Sequence, residues 1–279
     1  MFEPIFMRLA LATAVAAGVS LGLMGVYLAI RRVVFIGLVL ANAAAMGSAL
    51  AQIFGWPPEL ASAALATACA LALGSVQAPR RVSLEAVMGW AFAAASSATV
   101  LILAQAAAAD SDTLHLLFGN LLAVSVSHTV SLVLVAVAII AVHLLFSRRF
   151  LLVTFDSEAA SVAGVSTRFW SLILNLLIGV AAAMAVHEIG SLLTFSLLTL
   201  PAMGALLATS SIRATFTMAA VLGAVLPCLG LAMSFYFDLP AGPASVALLA
   251  ISVPVAAAVR WRRKMAIPEA VSIAPTVSS

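Results

Sequence analysis

The sequence predicts an all-α, polytopic integral membrane protein of about 8–9 transmembrane helices, each about 20 residues long, with its N-terminus outside and its C-terminus in the cytoplasm. Three observations carry that prediction. Of the 279 residues, 65% are hydrophobic and only 8% are charged, where a soluble domain has about a quarter charged. The apolar residues fall into successive runs of spanning length. The basic residues stand mostly in pairs between those runs. A soluble fold of this size cannot hide so much apolar surface, whereas lipid accepts it and helices satisfy their own backbone polar groups there.

Nine runs can be placed in order: 7–30, 33–54, 59–78, 84–107, 127–147, 169–187, 189–209, 214–236 and 242–260. The first ends in Arg31-Arg32 rather than at a small-residue cleavage site, so it is a retained span. Gly18 with Gly22, and Ala43 with Gly47 in the second run, form small-residue faces that let helices approach closely in lipid. Residues 113–125 are apolar but too short to cross, which suggests a re-entrant or interfacial segment. The sixth and seventh runs meet at His187-Glu188 with almost no loop, and merging them gives an eight-span count. Residues 1–264 are expected to form one transmembrane domain. Residues 265–279, with Pro268, Pro275 and several Ser and Thr, are expected to form a disordered cytoplasmic tail.

Charge placement orders the runs. With the N-terminus outside and the loops alternating, only Arg8 of the 13 basic residues falls on the outer side. Glu3, Glu59, Asp110, Asp112, Glu188 and Asp238 fall on the outer side. The basic bias is the one that sets topology. The net charge of +3 is spread along the chain, and no patch suited to nucleic acid forms. Cys69 and Cys228 each lie within an apolar run and give no sign of a disulfide or a metal site.

The inward loop at about 150–168 differs from the others. Thr154 or Asp156 can cap a short helix there, and Asp156 and Glu158 lie in its first turn, where the helix dipole favours negative charge. Ala159, Ala160 and Ala163 give it a small-residue surface, and Gly164 stops it. It reads either as a docking helix for a soluble partner or as an ordinary interfacial helix.

Polar groups within spans are few. Asn42 lies mid-span, where its amide makes an interhelical hydrogen bond or lines a path. Gln52, Gln105, His128, His143 and Asn175 sit nearer span ends and suit local hydrogen bonds or interfacial positions. His187 and Glu188 point about 100° apart on a helix and are poorly placed to hold one ion together. Asp110, Asp112 and His115 form an outer loop cluster that reads mainly as solvated. Pro201, close to Gly204, marks a hinge or a structural kink. No nucleotide-binding motif, nucleophile–base set or metal-chelating cluster is read in the sequence, which argues against hydrolysis by this chain itself.

Five segments taken together resemble the membrane permease subunits of bacterial zinc/manganese-type ABC importers, and the resemblance runs from about residue 8 to 260. They are Gly25–Gly37 with the following Leu38–Gly47, Leu117–Ser125, Phe155–Gly164, Gly190–Ala202 and Asp238–Val246. The resemblance implies a permease in the bacterial inner membrane that pairs with a second copy amid membrane lipids. It implies separate cytoplasmic ATPase subunits below and an extracytoplasmic solute-binding protein above. Asp156, Glu158, Ala159 and Gly164 match the family's ATPase-coupling helix. No cofactor is expected on this chain, and zinc or manganese is implied as substrate.

One departure bears on that substrate. Metal-transporting members carry an Asp and a His one helical turn apart after the paired arginines, a pair suited to divalent ions. Here Leu38 and Asn42 occupy those positions. A chelated metal or another small solute is therefore the alternative substrate, and no metal site is assigned from the sequence. A secondary transporter or channel working without an ATPase is a weaker alternative, because mid-span ionisable residues are nearly absent.

Overall fold

The structure is a computed structural model that describes residues 5–75, 83–105 and 125–265. Its elements are α1 (Ile5–Ile30), α2 (Phe35–Phe54), α3 (Pro58–Ser75), α4 (Leu84–Gln105), α5 (Val126–Phe155), α6 (Ser157–Val162), α7 (Thr167–Ala208), α8 (Ile212–Phe237) and α9 (Ala241–Met265). No strand occurs among the described residues. Seven of these helices, all but α3 and α6, are long and apolar enough to cross a membrane, and α3 is a shorter apolar helix.

Local chemistry sets many of the ends. Pro58 opens α3, where its missing N–H costs nothing. Ser125 and Ser211 accept backbone N–H groups of His128 and Ala214, capping α5 and α8. Gly55, at φ 67°, closes α2 in the left-handed conformation.

One boundary departs from the sequence reading, and one junction is sharpened. Helix α5 does not stop at 147 before Arg148-Arg149 but continues to Phe155. The sixth and seventh runs are the two arms of α7, and Gly190 is the one residue inside it with non-helical backbone angles, φ 80° and ψ 163°. That region of backbone space is open essentially only to glycine.

Contacts trace what happens at Gly190. Thr13 meets Thr129 at 3.2 Å and Tyr27 meets His143 at 3.0 Å, so α1 and α5 lie side by side and run parallel. Asn175 in the first arm accepts a hydrogen bond from Arg31, at the end of α1. Glu188 then meets His128, in the first turn of α5. Leu198 in the second arm abuts Gly25, back towards Arg31. The chain therefore reverses at Gly190, and α7 is a pair of antiparallel arms. The bundle has an arginine end, holding Arg31, and a histidine end, holding His128.

Helices α1 and α2 lie at the centre and are mostly buried, whereas α4 and α9 are mostly exposed. Outer apolar side chains such as Trp90, Leu134 and Leu145 are exposed, as a lipid-facing surface requires. The small-residue faces do the close packing. A Cβ added to Gly18 would collide with the Gly223 carbonyl, and one added to Gly22 with that of Ala219. Gly47 packs in the same manner on Ala61 and Ser62. Residues 106–124, with Gln105's side chain, Asp110, Asp112, His115 and the short apolar segment, lie outside what is described, as do residues 266–279.

Candidate functional site

Three places hold the residues singled out from the sequence. The first is the middle of α2. Asn42 is 5% exposed, its amide N–H donates to the Leu38 carbonyl at 3.0 Å, and its Oδ1 accepts from Ser96 on α4 at 2.8 Å. Asn42 thus ties α2 to α4 through Ser96, a partner that the Ser96-Ser97 pair in an apolar run did not reveal. Leu38 is partly buried beside it. A cavity of about 690 Å³ elsewhere, between α8 and α9, is lined by Leu222, Ile251, Val255 and other largely apolar groups. Pro201 lies buried in the second arm of α7 with helical backbone angles. The break expected near it falls at Gly190 instead, because proline's φ is already helical whereas the reversal needs a positive one.

The second place is α6, at the arginine end. Asp156 Oδ1 accepts the backbone N–H groups of Glu158 at 3.0 Å and Ala159 at 2.9 Å, which fixes where the helix begins. Ala160 is fully buried, while Glu158, Ala159 and Val162 are exposed. Gly164, at φ 75°, turns the chain out of the helix, and Val165 N–H donates to the Ala160 carbonyl at 2.9 Å. Arg31 braces this region by donating to Thr154 and to Asn175, both at 3.4 Å. The Arg149 guanidinium lies over Trp170 at 4.9 Å, a cation–π contact between α5 and α7.

The third place was not assembled by sequence reasoning. At the histidine end, α3, α5 and α7 bring together Glu59, His128 and His187, whose ligand atoms lie within 4.8 Å of one another. Among the described residues they are the one such group of three. His128 Nδ1 is 2.8 Å from the Glu188 carboxylate and 3.5 Å from that of Glu59. Glu188 is 7% exposed. The His128 and His187 rings stack with centroids 5.2 Å apart. The buried Nδ1 of His187 has no hydrogen-bond partner. As neighbours, His187 and Glu188 do point apart, yet both reach the surroundings of His128. Their partners stand far away in sequence, so no local spacing announces the cluster.

With this architecture in place, comparison with known proteins is informative. A family model described as "ABC 3 transport family" matches residues 3–260. The chain belongs to the ABC 3 transport family. It is accordingly an ABC transporter permease, a multi-pass cell-membrane subunit. Among ABC 3 relatives, the manganese transport system membrane protein MntC of Listeria monocytogenes is 30% identical over 246 residues, covering 88% of each chain. The chelated iron transport system membrane protein YfeD of Yersinia pestis is 28% identical, covering 90% of this chain and 84% of its own. The solved structure of PsaBC from Streptococcus pneumoniae in complex with Fab superposes with a TM-score of 0.84 at 23% identity. It covers 95% of this chain and 96% of the PsaBC chain, a likeness of fold.

Proposed function

We propose that this ABC 3 permease forms the translocation path of an ATP-driven importer for a divalent transition-metal ion. The observation that carries the coupling half of this reading is α6, a short helix capped by Asp156 and ended by Gly164, with exposed small and acidic residues. It suits the groove of a separate ATPase subunit. Closure of an ATPase pair would push on α6 and, through Arg31, on the junction of α1, α5 and α7. The arginine end then faces the cytoplasm. A solute-binding protein delivers the cargo at the histidine end, and a second permease copy completes the path. Counting each arm of α7 as one crossing and including α3 gives nine crossings, with the N-terminus outside.

The metal reading is supported by relatives named for manganese and chelated iron. Manganese has the most direct support, and zinc is tested beside it. The permease is purified with its ATPase and binding protein, placed in vesicles, and assayed for ATP-dependent uptake of radiolabelled manganese and zinc. Uptake that needs both ATP and α6 is expected. Failure of the permease to bind any ATPase subunit overturns the reading.

A chelated metal is the second reading, favoured by Leu38 and Asn42. An uncharged α2, with its amide bonded to Ser96, offers little to a bare cation at that level. Competition between free ion and chelate in the same uptake assay separates the two.

A further inference from the structure

The histidine end carries more chemistry than a helix terminus requires. An unbonded imidazole nitrogen buried in the fold forfeits the hydrogen bonds it would make in water. His187 Nδ1 is in that position, in a ring stacked on the His128 imidazole and grouped with the Glu59 carboxylate. Two carboxylates and two imidazoles from three helices, converging at the mouth of a largely uncharged bundle, compensate one another best around a cation. Two nitrogens and an oxygen form a borderline ligand set, suited to first-row divalent ions rather than to magnesium or calcium. Glu188 fits the second role such sites use, since a carboxylate hydrogen-bonded to one ring nitrogen fixes the tautomer and orientation of a ligating histidine.

We propose that Glu59, His128 and His187 form a binding site for one divalent transition-metal ion at the histidine end, with Glu188 positioning His128. Its role as the site where the permease first accepts its cargo rests on the importer reading; the site itself rests on the cluster alone. It also gives the chain a metal-binding station away from α2, where Leu38 and Asn42 offer none.

The test uses the full-length permease in detergent micelles, without ATPase, titrated with cobalt(II) as a spectroscopic probe and with zinc in competition. Metal content is measured after gel filtration. One ion per chain is expected, with visible cobalt bands showing nitrogen and oxygen ligation. His128→Gln and His187→Gln should each weaken binding by about 100-fold, and Glu188→Gln by about 10-fold with unchanged stoichiometry, as outer-shell losses do. His187→Cys gives a readout that misfolding cannot imitate. A thiolate in the set should add a thiolate-to-cobalt charge-transfer band in the near ultraviolet, absent from the wild type. A wild-type chain that binds no ion, full binding by both glutamine variants, or no new band in His187→Cys with cobalt bound, each overturns the site. Vesicle uptake is measured in parallel. Uptake without binding rejects the site and leaves the importer reading standing, while binding without uptake does the reverse.

Discussion

The two ends of the bundle use their polar residues in opposite ways. At the arginine end, polar groups are spent on each other: Arg31 on Thr154 and Asn175, Tyr27 on His143, Arg149 on the Trp170 ring. The outer surface of α6 stays exposed there. At the histidine end, polar groups from three helices gather, yet one buried ring nitrogen stays unbonded. Satisfied networks rigidify, and incompletely satisfied ones leave room for a ligand. On the proposals made above, the arginine end is the one gripped and moved, and the histidine end is the one that receives.

Substitutions can break or sharpen this contrast. The largest effect is expected where both ends depend on one contact. Gly18→Leu drives a side chain into the Gly223 backbone, which cannot step aside. It should cost more than the about 3 kcal/mol of ordinary overpacking. Loss of folded permease on gel filtration, with both ends failing together, is expected.

Gly190→Ala comes next. It forces a side chain into a glycine-only region at a cost of about 1–3 kcal/mol. Because the reversal places His187 and Glu188, cobalt binding should fall before α6 loses its ATPase partner. Equal loss at both ends would erase the distinction drawn here.

Asp156→Ala acts on one end only. It removes two backbone hydrogen bonds and should destabilise α6 by about 1 kcal/mol. ATPase copurification should weaken several-fold while metal content stays unchanged. The smallest effect is expected for Ser96→Ala, which strips Asn42 Oδ1 of its partner between the ends. A loss of about 1 kcal/mol in thermal stability, with neither end altered, would show α2 acting there as structure.

Legibility in the sequence followed the range of each signal. Spans, paired arginines and α6 are written locally: Asp156, the alanines and Gly164 sit within one short stretch. The glycine faces were readable for the same reason. The Gly190 reversal was half legible. Two apolar runs meeting near His187-Glu188 are too long for one crossing, and Gly190 was the nearby residue able to turn the chain. Glu59, His128 and His187 were read apart, because their meeting is decided by how α3, α5 and α7 pack. The hint lay in where they fall, each close to the same end of its own run.

Helix α5 has 30 residues, carries His128 in its first turn and ends beside Asp156. At 1.5 Å per residue it is an unbroken strut of about 45 Å. A helix shortens hardly at all under axial load, so the two regions contrasted above are opposite tips of one stiff lever. A push on α5 from α6 along that axis would reach His128 through the helix backbone itself.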